Sequence, residues 1–186
     1  MADPHALEHL PALATDSARL EQLFGGDDVV PLWIAEPYVP LAPPVLAAIQ
    51  RRADTGWYGY ETRPGSVKAA FWEWMTQRHG WSSDGLSTIV SPSVGTSIGV
   101  PIGELTEPGE GVIIQPPVFT DFKPLIVAAD RTVVRNPLAL TDDGYQMDLD
   151  DLAQLASDPA TRLLILCNPH NPVGRLWSQD ELRSVA

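Results

Sequence analysis

The sequence predicts an α/β fold, a mostly parallel sheet flanked by helices. Three observations carry that expectation. Short runs rich in branched apolar residues, near Thr88–Val90, Gly111–Ile114, Thr132–Arg135 and Leu163–Leu166, have strand length and composition. Between them lie stretches with helical spacing of apolar residues. The order strand, helix, strand then repeats, which implies parallel strands covered on both faces.

The elements follow in order. An acidic leader gives way to "VVPLWIAEPYVPLAPP", residues 29–44, whose five prolines exclude a helix or a central strand and predict an extended crossing segment. Pro43 and Pro44 suit the first turn of a helix with Val45, Leu46 and Ile49 on one face and Arg51 and Arg52 at its end, where positive charge complements the dipole. A glycine-punctuated loop with Trp57, Tyr58 and Tyr60 follows. Ser66 is placed to cap a second helix bearing the stripe Val67, Phe71, Trp74 and Met75, which stops at Gly80.

A helical pattern through Ile98, Ile102 and Leu105 contains Pro101, so that helix either begins later or bends. Further helices are expected near Asp121–Ala129 and after Asp148, the latter with Leu149, Leu152 and Leu155 on one face. Ser178 and Glu181 form a capping box for a helix still in progress at Ala186.

Composition narrows the function. Twelve basic against 24 acidic residues give a net charge of −12, which repels phosphate backbones, so nucleic acid is an unsuitable partner. No run approaches the roughly 20 apolar residues of a membrane span. The acidic start, with Asp3 and Glu8, does not resemble a signal peptide, and the expected location is the cytoplasm. The single cysteine, Cys167, excludes an internal disulfide and a cysteine-rich metal cluster.

In an open α/β sheet, ligands bind beyond the carboxyl ends of the strands, and three loops there invite chemistry. "SPSVGTSIG" leads into a helix through Ser93, Gly95, Thr96 and Ser97, whose backbone N–H groups and hydroxyls suit an anion; the same residues serve equally well as a plain helix cap. It is neither a Walker loop nor a dinucleotide fingerprint. "QPPVFTDF" holds Phe119 behind two prolines, where it stacks on a planar ring or simply joins the core. "CNPHNPVG" has two Asn-Pro pairs and Gly174, a stiff loop able to present the Asn171 amide accurately, with His170 either orienting it or filling space.

These blocks, with "GYETRPG" upstream, resemble the fold-type-I pyridoxal-phosphate (PLP) enzymes, the class I/II aminotransferase superfamily; "VVPLWIAEPYVPLAPPVLAAI" followed by "WYGY" resembles its MalY/PatB branch, the cystathionine β-lyase type carbon–sulfur lyases. The resemblance covers nearly the whole chain after residue 25. It implies the N-terminal part of that fold: residues 1–50 as an N-terminal segment and 51–186 as the first part of the PLP-binding large domain. It further implies PLP as cofactor, with Asn171 bonded to the ring oxygen, Phe119 stacked on the pyridine where the branch usually has tyrosine, and Gly95 and Thr96 on the phosphate. Tyr60 would reach the phosphate of a partner copy in a homodimer, and Ala35 would lie near the substrate carboxylate.

Two departures bear on substrate: Glu36, Pro37, Tyr38 and Val39 replace the Asp-Met-Asp-Phe common after that alanine, and Phe119 has no hydroxyl. The family's Schiff-base lysine, its partner aspartate for the pyridine nitrogen and its carboxylate-binding arginine all follow the Asn-Pro loop. The chain's two lysines, Lys68 and Lys123, are outside the Ser-x-x-Lys setting. The expectation is therefore an inactive fragment of a β-lyase that cleaves cystathionine or cysteine S-conjugates to thiol, pyruvate and ammonia. An aminotransferase is the enzymatic rival, and a non-catalytic, partner-binding pseudoenzyme the other. The isolated chain is expected to be poorly soluble or dimer-dependent.

Overall fold

The computed structural model describes residues 12–35, 39–60 and 65–186, and the chain divides into two compact units, Met1–Pro64 and Gly65–Ala186. In the first, a 3-10 turn at Leu13–Thr15 leads into α1 (Ser17–Phe24). Asp16 caps α1 by accepting from the Arg19 N–H at 2.8 Å, and Gly25 ends it. Composition predicts only an acidic leader here; the Asp cap followed by Leu20 and Leu23 is the local signal for this helix. The Trp33 indole donates to the Ala14 carbonyl at 3.1 Å, which ties the following extended segment to α1's start. α2 (Pro43–Asp54) begins on Pro43 and Pro44 and carries Arg51 and Arg52 in its last turn, as expected, while Val45, Leu46 and Ile49 of its apolar face stay exposed.

The second unit opens with α3 (Ser66–His79), whose N-cap is Gly65, so that Ser66 is its first residue and not its cap. Gly80 terminates it with φ at +63°, a conformation that costs a glycine little. Trp72 anchors α3, donating to Thr88 Oγ1 at 2.7 Å and meeting Trp81 edge-on at 5.2 Å. The expected stripe of Val67, Phe71 and Trp74 stays exposed.

α4 (Val94–Leu105) runs through Pro101 without a break. It precedes β1 (Gly111–Ile114), α5 (Phe122–Ala128), β2 (Thr132–Arg135), a hairpin of β3 (Ala139–Thr141) and β4 (Gly144–Gln146), α6 (Leu149–Ala156), β5 (Thr161–Leu164) and α7 (Gln179–Val185). The main sheet has the order β2-β1-β5, all parallel. The central strand β1 is buried throughout: Val112 and Ile114 pack with Ile102 of α4 and Phe122 and Ile126 of α5. Each such aliphatic side chain removed from water contributes about 1.5–3 kcal/mol.

Three expectations change. Thr88–Val90 is not a strand, because no neighbour supplies its backbone bonds among the described residues, and Ile89 stands 90% exposed. The last strand begins two residues earlier than its apolar run, since Thr161, Leu163 and Leu164 are the residues in register with β1. The β3–β4 hairpin was not anticipated; its turn is signalled by Asp142, Asp143 and Gly144, with Gly144 at φ +97°. Among the described residues no helix is long and apolar enough to cross a membrane, and no His, Cys, Asp and Glu cluster suits a metal.

Candidate functional site

α4 begins where the sequence placed an anion site. The first N–H groups of a helix have no partner within it. Ser93 Oγ accepts from the Thr96 N–H at 3.1 Å and lies 3.0 Å from the Thr96 hydroxyl, while the Ser97 N–H bonds back to Ser93 O. The N–H groups of Val94 and Gly95 make no hydrogen bond among the described residues. A methyl group built on Gly95 would meet only Ser93 Oγ, at 3.8 Å, so the chain's own packing does not demand glycine there. Arg131 fixes the other end of α4: it donates to Thr106 Oγ1 at 2.9 Å and to the carbonyls of Gly103 and Thr106. Positive charge at a helix C-terminus also complements the helix dipole.

The two other loops are bound to each other. His170 is 1% exposed, and its Nε2 lies 3.0 Å from the Pro117 carbonyl. A carbonyl only accepts, so Nε2 carries a proton, and Nδ1 is buried without a hydrogen-bond partner among the described residues. The ring stands edge-on to Trp177 at 5.5 Å, and Trp177 in turn donates from its indole to Cys167 O at 3.0 Å and from its backbone to Asn168 Oδ1 at 3.2 Å. Backbone bonds from His170 N to Arg175 O and from Gly174 N to His170 O close the loop. The ring is held by the Pro117 carbonyl and Trp177.

This frame presents Asn171 at the surface. Its backbone N–H points to Cys167 Sγ at 3.4 Å, and its side-chain amide makes no hydrogen bond among the described residues. Phe119, 41% exposed, meets Phe122 edge-on at 5.7 Å and keeps ring surface open to a ligand. A cleft of about 560 Å³ includes Phe119 and Pro172, the neighbour of Asn171, whereas Gly95 and Thr96 line a separate groove along α4. Thus Phe119 and the Asn171 loop share one cleft. Tyr60 is fully exposed and Ala35 is exposed, both in the first unit.

A buried polar relay below this surface was missed in the sequence. Asn136 donates to Asp148 O at 3.0 Å and to Asp151 Oδ2 at 2.7 Å, which orients its own oxygen towards the Gln115 amide N–H₂ at 3.0 Å. The chain has a third Asn-Pro pair at Asn136–Pro137, and that repeat was the available signal.

α7 is locked by its capping box, Ser178 Oγ accepting from Glu181 N and Glu181 Oε2 from Ser178 N at 2.7 Å, and by a bond from Arg175 to Glu181. The Ser178 backbone bond, then its hydroxyl, hold the Glu181 carboxyl below its ordinary value of 4.5; burial opposes them, and the Arg175 charge adds a lesser lowering. A depressed carboxyl pKa stabilises the fold fully above its unfolded value, and that contribution is lost as pH falls through the folded one. The Ser178 amide resonance is therefore expected to titrate with a midpoint below 4.5, and in Glu181→Gln to show no such step; a midpoint at or above 4.5 would contradict this.

A family model described as aminotransferase class I and II matches residues 27–186. The chain belongs to that family. Among its curated relatives, cystathionine β-lyase PatB of Bacillus subtilis is 39% identical over 173 residues, covering 91% of this chain and 45% of the relative. The protein MalY of Escherichia coli is 30% identical, over 88% of this chain and 42% of its own. The crystal structure of cystalysin from Treponema denticola, which contains a pyridoxal 5'-phosphate cofactor, superimposes on 99% of this chain with a TM-score of 0.85 and 29% identity. It is matched over 47% of its length, so this member of the class I and II family spans under half of each relative. The α/β architecture expected from the sequence is the one these neighbours share.

Proposed function

We propose that this chain forms the phosphate- and ring-binding part of a PLP-dependent carbon–sulfur β-lyase of the cystathionine type. The observation that carries the proposal is the pairing of a free Asn171 amide with a half-exposed Phe119, on two loops tied together by His170 and Pro117. The likeness to the β-lyase PatB over 91% of the chain supplies the reaction class. When bound, PLP supplies an electron sink for the pair left behind when a substrate bond breaks.

The chain's residues would bind and orient. The N–H groups of Val94 and Gly95 and the Thr96 hydroxyl suit a phosphate dianion at a helix N-terminus. The Asn171 N–H₂ donates to a ring oxygen, and Phe119 covers the ring by stacking alone. Following the resemblance, Tyr60 of a second copy adds a phosphate contact in a cytoplasmic homodimer, and Ala35 borders the substrate carboxylate. Lys68 and Lys123 are both exposed, and neither sits in the family's Ser-x-x-Lys setting, so neither is assigned as the lysine that would carry the cofactor.

Two measurements test this. Borohydride reduction of the 186-residue chain with PLP is expected to leave no cofactor covalently attached; a stable adduct on Lys68 or Lys123 would overturn the lysine assignment. In protein that includes the counterpart of the relatives' remaining half, cysteine S-conjugates are expected to give pyruvate, ammonia and thiol in equal amounts. Amino-group exchange with a 2-oxo acid and no pyruvate would instead favour an aminotransferase, the rival suggested by the family description.

A further inference from the structure

The cleft that holds Phe119 has a second property that cofactor binding does not use. Its walls are mainly apolar, from Ile114, Pro117, Val118, Val133 and Pro172, and the two charged side chains lining it are both cations, Lys123 and Arg135. Lys123 lies in the first turn of α5 and Arg135 ends β2, opposite Ile114 in the parallel register, so both stand at the carboxyl end of the sheet. Among the described residues neither makes an ion pair or a hydrogen bond. In a chain with 24 acidic residues, two cations without counter-ions beside one apolar cleft are a selective arrangement.

We propose that this cleft is a subsite for an organic carboxylate: an unbranched or flat apolar body lies against Val118, Val133 and Pro172, and its terminal carboxylate is held by Arg135 and Lys123. Arginine offers a planar pair of donors to a carboxylate, and lysine a mobile point charge beside it. Apolar walls weaken the competition from water for both bonds. The subsite goes beyond the lyase reading. It would select substrates, or a separate small acid, by the charge at the end away from the reacting carbon.

The test titrates the protein with 3-phenylpropionate, its neutral amide 3-phenylpropionamide, and inorganic phosphate, following the Arg135 Nε–H resonance and the heat of binding. The expected result is a carboxylate that binds about 5- to 10-fold tighter than the amide, the scale of one charge-assisted bond at a partly exposed site. In Lys123→Gln/Arg135→Gln that preference should fall below about 2-fold, and high salt should reduce it in the unaltered protein. Both side chains are exposed, and an unchanged melting transition would show that the variant folds. Equal affinity for carboxylate and amide, a preference that survives the double substitution, or phosphate moving the Arg135 Nε–H resonance at concentrations as low as 3-phenylpropionate does would each overturn the proposal. PLP binding, read separately by its absorbance, reports on the lyase reading alone.

Discussion

His170→Ala is expected to destabilise the second unit by about 3 kcal/mol or more, and to weaken PLP binding by more than the loss of fold accounts for. Removing a ring that is 1% exposed leaves a cavity against Trp177, and buried aromatic-to-alanine changes cost about 3–5 kcal/mol. The Pro117 carbonyl also loses its donor. His170→Phe separates the two effects: it keeps the volume and loses only the hydrogen bond, so about 1 kcal/mol is expected. The phenyl variant should nevertheless bind PLP less tightly at temperatures where it is fully folded, because the Phe119 and Asn171 loops are no longer tied. Urea melts and PLP titrations of both variants decide this. A His170→Ala protein within about 0.5 kcal/mol of the parent would show that the contact is incidental.

Gly111→Ala is expected to cost about 2–3 kcal/mol although it adds one methyl group. A Cβ there would lie 2.7 Å from Val134 Cγ2, 3.1 Å from Thr161 Oγ1 and 3.2 Å from the Thr161 Cα. Val134 can turn, but the Thr161 backbone belongs to β5 and is hydrogen-bonded into the sheet, so relief requires the strands to part. Gly103→Ala supplies the contrast. It lies inside α4 with nothing within 4 Å of the added atom, and alanine in a helix interior is better by about 0.5–1 kcal/mol. Opposite signs in the two melts are the expected outcome; two destabilised proteins, or two unchanged ones, would contradict it.

The parts of the fold legible in the sequence are those whose cause is local. Gly111–Ile114 and Thr132–Arg135 are strands with the expected bounds, because a short branched run between turn residues has few alternatives. The Asp148 cap and the Ser178–Glu181 box likewise act over three residues and appear as expected. Thr88–Val90 looks the same in composition, yet a strand is made by its neighbour's backbone, which composition does not encode. The stripe on α3 tells the same story: its spacing is right, but burial depends on what packs there.

The candidate site divides along the same line. Asn171, Phe119 and the Ser93–Thr96 cap were recognisable because prolines, glycine and hydroxyls stiffen or cap a chain wherever they occur. The contacts that span long separations were not. His170 reaches Pro117, 53 residues away, and Asn136 joins Gln115 to Asp151; only folding brings these partners together.

The central claim, that these loops hold PLP, is tested most directly by titrating the chain with PLP and following the circular dichroism of the cofactor's absorption band. A symmetric chromophore acquires such a signal only when a chiral site fixes it. The account predicts a saturable signal that inorganic phosphate displaces, and affinity weakened about 10-fold by Asn171→Ala, the scale of one lost hydrogen bond to a charged group. No induced signal, or identical titrations for the parent and Asn171→Ala, would contradict it.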